Sequence, residues 1–246
     1  MSDPNEAIIT AATPESLSAG RSESKRLRWF ELSLVLLVAC ARPLLNALYV
    51  LIYGRAGAPN ATGAGFLIGV VQEVTALLLL GYVLSRRNLR FRDIGLRWSL
   101  TDFGAGLVLT CVSYAVYSVG SAFVNLLRDA INSSSHKGPI FPSLFTHFSV
   151  VAIPYFLLSP IFEELIVRAY LMTELMDLTG SQWLAIMFSV VVQSSYHLYY
   201  GWAGAMALSF QFLTFALYYA SSRRILPVII AHEIYDIFGL IRLWRT

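Results

Sequence analysis

Charge is what this sequence has least of. Of its 246 residues only 13% are Asp, Glu, Lys or Arg, against 57% hydrophobic, and the mean hydropathy is +0.62. A soluble domain carries about 25% charged residues, so this shortage excludes an ordinary water-facing surface and requires lipid as a second solvent. The net charge is only +3 and dispersed, which leaves no electrostatic footprint for a nucleic-acid partner. Cysteine is nearly absent too. Cys40 and Cys111 both sit in apolar runs, which excludes a disulfide framework and fits two small buried thiols. No internal repeat stands out. No serine lies in a nucleophile-elbow pattern and neither cysteine has a histidine close in sequence, so a covalent mechanism has little to build on.

Residues 1–27 lack the apolar core of a signal peptide and are rich in Ser, Ala, Pro and charge. They are expected to form a disordered cytosolic tail ending in the basic cluster Arg21, Lys25, Arg26 and Arg28. The rest, 28–246, reads as one membrane domain. Runs of roughly 20 apolar residues mark spans, and they fall at about 29–53, 65–85, 103–127, 147–175, 182–200, 203–222 and 226–244. The expected fold is therefore all-α: a polytopic bundle of about seven spans, with six to eight in range, whose last four form a tight antiparallel group. The fourth run is long for one vertical crossing and contains Pro154 and Pro160, so it should tilt or kink.

Basic residues set the expected direction. Eleven of them (Arg21, Lys25, Arg26, Arg28, Arg86, Arg87, Arg90, Arg92, Arg97, Arg223, Arg224) fall on one side and five (Arg55, Arg128, Lys137, Arg242, Arg245) on the other. A cytoplasmic N-terminus follows, in a multi-pass protein of the plasma membrane. The mixed basic and apolar segment 91–98, FRDIGLRW, suits either the membrane interface or a plain topogenic loop.

Ionisable groups at membrane depth cost roughly 2.5–3.5 kcal/mol each on insertion scales and default to functional hypotheses. Arg42, Glu73, Glu163, Glu164, Arg168, His197, His232, Glu233 and Asp236 all lie in apolar runs, most of them in spans four, five and seven. On a helix Glu164 and Arg168 stand about 40° apart, whereas Glu163 is about 140° from Arg168. Arg168 thus neutralises Glu164 as a structural pair, and Glu163 is left to act as a base in a low-dielectric pocket. His232 and Asp236 share one face by the same i,i+4 spacing, with Glu233 turned aside. His197 lies among aromatics; alone it would read equally well as an interhelical hydrogen-bond partner. His147 and His136 read as interfacial or solvated. Together Glu163, His197, His232 and Asp236 make a hydrolytic set: a carboxylate and an imidazole to activate water, a second imidazole with a polar neighbour to hold the oxyanion.

At these residues the sequence resembles the CAAX prenyl protease and bacteriocin-processing group of intramembrane proteases, also called the Abi or CPBP family. The EExxxR motif is matched by Glu163, Glu164 and Arg168, and the HxxxN or HxxxD motif by His232 and Asp236. The FxxxH motif is matched at His197, with Gln193 where the family has phenylalanine. The motif-bearing core is about 147–246. The resemblance implies an all-helical membrane endopeptidase without a required cofactor, acting on a membrane-associated peptide or protein within the lipid bilayer. Glu163 and His197 would activate water, and His232 with Asp236 would form the oxyanion site. Gln193 bears on substrate choice. Asp236 in place of asparagine helps an oxyanion only if it is protonated or metal-bound.

Two rival readings use the same residues. HEIYD begins like the zinc motif HExxH but has Asp236 where the second histidine belongs, so a hydrolase dependent on a divalent ion such as zinc is one rival. A non-catalytic transporter, or an immunity-type binding protein, is the other.

Overall fold

The computed structural model describes residues 14–53, 63–131 and 149–244, and among these there are helices and short turns but no strand. The elements are α1 (Pro14–Tyr53), α2 (Gly63–Arg86), α3 (Leu100–Ile131), α4 (Ala152–Glu163), α5 (Leu171–Thr179), α6 (Gln182–Tyr196), α7 (Trp202–Ser222) and α8 (Leu226–Trp244). A π-helical stretch, Glu164–Tyr170, joins α4 to α5 without a break, so these two are one rod. The all-α expectation holds, with each expected span matched by a helical rod. One boundary differs. The helix α1 already starts at Pro14, so residues 14–27, expected in the disordered tail, begin a helix; the rest of that tail lies outside the described residues.

Among the described residues four helices are long and apolar enough to cross a membrane: Ser24–Tyr53 within α1, Gly63–Arg86, Leu100–Ile131 and Trp202–Ser222. The remaining three rods fall short of those limits for a physical reason. The α4–α5 rod and α8 carry the charges of the motifs, and α6, at 15 residues, is shorter than the ~20 that span a bilayer. The polarity of the bundle is inverted relative to a soluble protein. Arg168 and Glu164 are fully buried, while Leu78, Val119 and Leu126 are 70%, 73% and 71% exposed. Apolar side chains outside and charges inside are what a lipid solvent selects.

Small residues set the packing around α3, which lies against α7 and α8. A Cβ on Gly120 would fall 2.4 Å from the Phe210 ring, and one on Gly106 2.7 Å from Ile230. Only glycine lets these helices approach so closely. As a result α8 packs mainly on α3 and α4 rather than on α7, its neighbour in sequence, and the last four helices do not form a simple antiparallel group. The segment 91–98 makes a 3-10 turn, Phe91–Ile94, that Gly95 closes at φ 101°. The Gly95 carbonyl accepts from Ile225 N at 3.1 Å, and Tyr219 Oη bonds the carbonyls of Ile94 and Ala169 at 3.0 and 3.2 Å. These bonds tie the α2–α3 and α7–α8 turns to the rod that carries the glutamates.

Candidate active site

The site grows from the α4–α5 rod. Pro160 removes a backbone donor from α4, and one turn later the chain widens into the π-helical stretch. Such stretches are rare and often coincide with functional sites. Here every residue from Glu164 to Tyr170 is buried, so Glu164 and Arg168 of the first motif are held inside the bundle, while Glu163, at the end of α4, is half-buried.

Glu164 and Arg168 do pair, with Arg168 Nε 3.7 Å from Glu164 Oε2. Their stronger contacts lie elsewhere. Arg168 donates to Ser189 Oγ at 3.0 Å and to the Phe212 carbonyl at 3.3 Å, with its guanidinium over the Phe212 ring. Glu164 Oε1 accepts from His232 Nδ1 at 2.8 Å. The helical-wheel argument could not see this last bond, because it joins residues 68 apart in the chain.

Glu163 faces another helix. Its Oε2 accepts from Gln193 Nε2 at 2.8 Å and Tyr196 Oη at 3.0 Å, both on α6, and Ser159 Oγ lies 3.5 Å from Oε1. It is separate from Arg168, as its angular position implies, but it is not without partners. The sequence singles out Gln193 only as a departure bearing on substrate choice, and it singles out neither Tyr196 nor Ser189. Their spacing offered a signal, since Ser189, Gln193 and His197 recur every four residues on one face of α6.

His197 stands where α6 ends, with φ −90° and ψ 4°. The last carbonyls of a helix have no intrahelical partner. One of them, Gln193 O, takes the His197 Nδ1 hydrogen at 2.9 Å. A carbonyl can only accept, so Nδ1 carries the proton and Nε2 keeps its lone pair. Tyr196, Tyr199, Tyr200 and Phe212 enclose the ring at centroid distances of 4.9 to 6.3 Å.

On α8, Asp236 Oδ1 is 3.9 Å from His232 Nε2, too far for a direct hydrogen bond, and its side chain is 26% exposed. Glu233 turns aside and makes no hydrogen bond through Oε2. From three separate stretches of chain, Glu163 lies within reach of the charges of His197, His232 and Asp236, and His232 within reach of those of His197 and Asp236. His136 and His147 fall outside the described residues. Among the described residues no three His, Cys, Asp or Glu side chains group as a metal site. His232 Nδ1 is taken by Glu164 and both Glu163 oxygens by neighbouring donors.

Residues 140–238 match the family model for the Rce1-like type II CAAX prenyl endopeptidases. The matched segment contains all three motifs. No curated protein and no solved structure matches the chain.

Proposed function

We propose that this chain, whose segment 140–238 matches the family model for the Rce1-like type II CAAX prenyl endopeptidases, is an intramembrane endopeptidase that hydrolyses a peptide bond of a membrane-associated peptide or protein. The observation that carries the reading is Gln193. Its side-chain amide holds Glu163 while its backbone carbonyl holds His197, which fixes a carboxylate and a basic imidazole nitrogen against the same residue.

A water bound between Glu163 and His197 Nε2 loses its proton to one of them as its oxygen adds to the scissile carbonyl carbon. The carbonyl electron pair moves onto oxygen, and the tetrahedral intermediate faces His232 and Asp236. Glu164, by accepting from His232 Nδ1, fixes the ring so that Nε2 points toward Asp236. A protonated Asp236 would add a second donor to the oxyanion. Collapse of the intermediate expels the amine, which takes back the proton abstracted from water. Glu164 and Arg168 act as supporting residues.

Purified protein with candidate membrane peptides tests this directly. Glu163→Ala and His197→Ala should each lower the cleavage rate roughly 10²–10⁴-fold, the usual reach of general acid–base catalysis. Full activity in both variants would refute the assignment. Loss confined to a folded Glu164→Ala would exchange the roles of the two glutamates. Cleavage should continue in chelator without added metal; loss on chelation with recovery on adding zinc would favour the metal-dependent rival. Prenylated and unprenylated versions of one peptide would show whether the lipid group is needed. Reporter fusions at the N-terminus should place it on the cytoplasmic side of the plasma membrane.

A further inference from the structure

Glu73, on α2, has no part in the mechanism above, yet it is only 4% exposed inside the bundle. Its position has a local cause. One turn earlier, a Cβ on Gly69 would lie 2.6 Å from the Tyr155 ring, so α2 approaches α4 closely there and brings Glu73 to Ser159. Ser159 is itself buried; it stands four residues past Tyr155 as Glu73 stands four past Gly69, which sets the two side by side, and its Oγ lies 3.5 Å from Glu163 Oε1. The remaining charged and titratable neighbours of Glu73 are Arg42 on α1, Asp236 on α8 and Tyr155 on α4.

A serine hydroxyl has one proton to give and lone pairs that only accept. Placed between two carboxylates, it donates to one and turns a lone pair on the other, which is repulsive. Both contacts become favourable together only when one carboxyl carries a proton and donates it to Ser159. The two glutamates are not equivalent in this respect. Glu163 accepts from Gln193 and Tyr196 in addition, the surroundings of an anion. Glu73 Oε2 makes no hydrogen bond.

We propose that Glu73 is a positioning residue of the site: as a neutral carboxylic acid it donates to Ser159, turning the Ser159 hydroxyl onto Glu163 and holding that carboxylate toward His197. This rests on the assignment of Glu163 as the catalytic base. No proton is consumed, and Glu73 acts only through Ser159.

The test uses full-length protein in the same peptide-cleavage assay, with Glu73→Leu, Glu73→Gln, Ser159→Ala and the double variant Glu73→Leu/Ser159→Ala. Losing one hydrogen bond to a charged group corresponds to roughly a tenfold fall in rate. Glu73→Leu and Ser159→Ala should each show that fall in kcat with KM unchanged. The double variant should be no worse than either single one, because the two residues act as a unit. Glu73→Gln, whose amide can still donate, should restore most of what leucine loses, and a merely space-filling role would not distinguish these two. Wild-type kcat in Glu73→Leu, equal losses in the Gln and Leu variants, or multiplying losses in the double variant would overturn the proposal. Should Glu73→Leu fail to fold, wild-type kcat in Ser159→Ala would overturn it alone. Glu163→Gln separates the two levels. If it is inactive while Glu73→Leu is unchanged, only the positioning role falls; if it cleaves at the wild-type rate, both do.

Discussion

Gln193 uses two different parts of itself. Its side chain donates to Glu163, and its backbone carbonyl, orphaned at the end of α6, orients His197. These roles separate in a variant, because any residue supplies the carbonyl but few supply the amide. Gln193→Leu should lower kcat roughly 10–100-fold, the worth of about 1.5–3 kcal/mol for a hydrogen bond to a charged group. KM should change little, and steady-state kinetics on a membrane peptide would check it. An unchanged kcat would mean that Tyr196 and Ser159 suffice to hold Glu163. At this scale the sequence was informative about residue types and weak on partners. The separation of Glu163 from Glu164 follows from helical angles alone. The Glu164–His232 bond and the amide of Gln193 do not, because both depend on which helix faces which.

At the scale of the element, the π-helical stretch Glu164–Tyr170 departs from α-helical geometry, and every one of its residues is buried. Removing one residue inside it, such as Ile166, should let an ordinary α-helix form and change the angular offsets of Glu163 and Glu164 from Arg168. The expected outcome is a folded, helical protein by circular dichroism with no peptide cleavage; retained activity would show that the widened turn is incidental. Glycines make a second element-level test. Gly120→Ala puts a methyl group into the Phe210 ring and should destabilise the α3–α7 contact by about 1–3 kcal/mol, the range for overpacking, measurable as a lower melting temperature in detergent. The sequence showed where helices run, because hydrophobic run length is local. It did not show that α8 would lie on α3 and α4 instead of α7, since that depends on where α3 has no side chain. Nor could it show the π turn, since the residues of a widened helix look like those of a regular one.

Across the whole molecule, the buried charges are distributed so that few stand alone. Arg168 touches the π stretch, α6 and α7 at once, and Glu164 connects that group to α8. Removing one member of a buried charge pair is usually worth about 3–5 kcal/mol. Arg168→Met should therefore lower the melting temperature sharply, whereas Glu163→Ala, at a position with partners but no buried cation, should move it little. Thermal unfolding in detergent micelles would compare them, and equal shifts would contradict the division into supporting and reacting residues. The other end of the bundle is tied by ion pairs of Arg28 and Arg87 with Glu174 and of Arg224 with Asp102. These are partly exposed, and salt should weaken them in a way it cannot weaken Arg168.

The bond from His232 to Glu164 also has a bearing on time. His232 lies on α8, 68 residues after Glu164, so its ring cannot reach Glu164 until the chain through α8 has been made and α8 has settled among the helices before it. Until then the half of the site that would receive the oxyanion is missing. On the proposed mechanism, a site assembled in this order stays inactive until α8 has docked, which spares the half-made bundle and its neighbours in the insertion machinery.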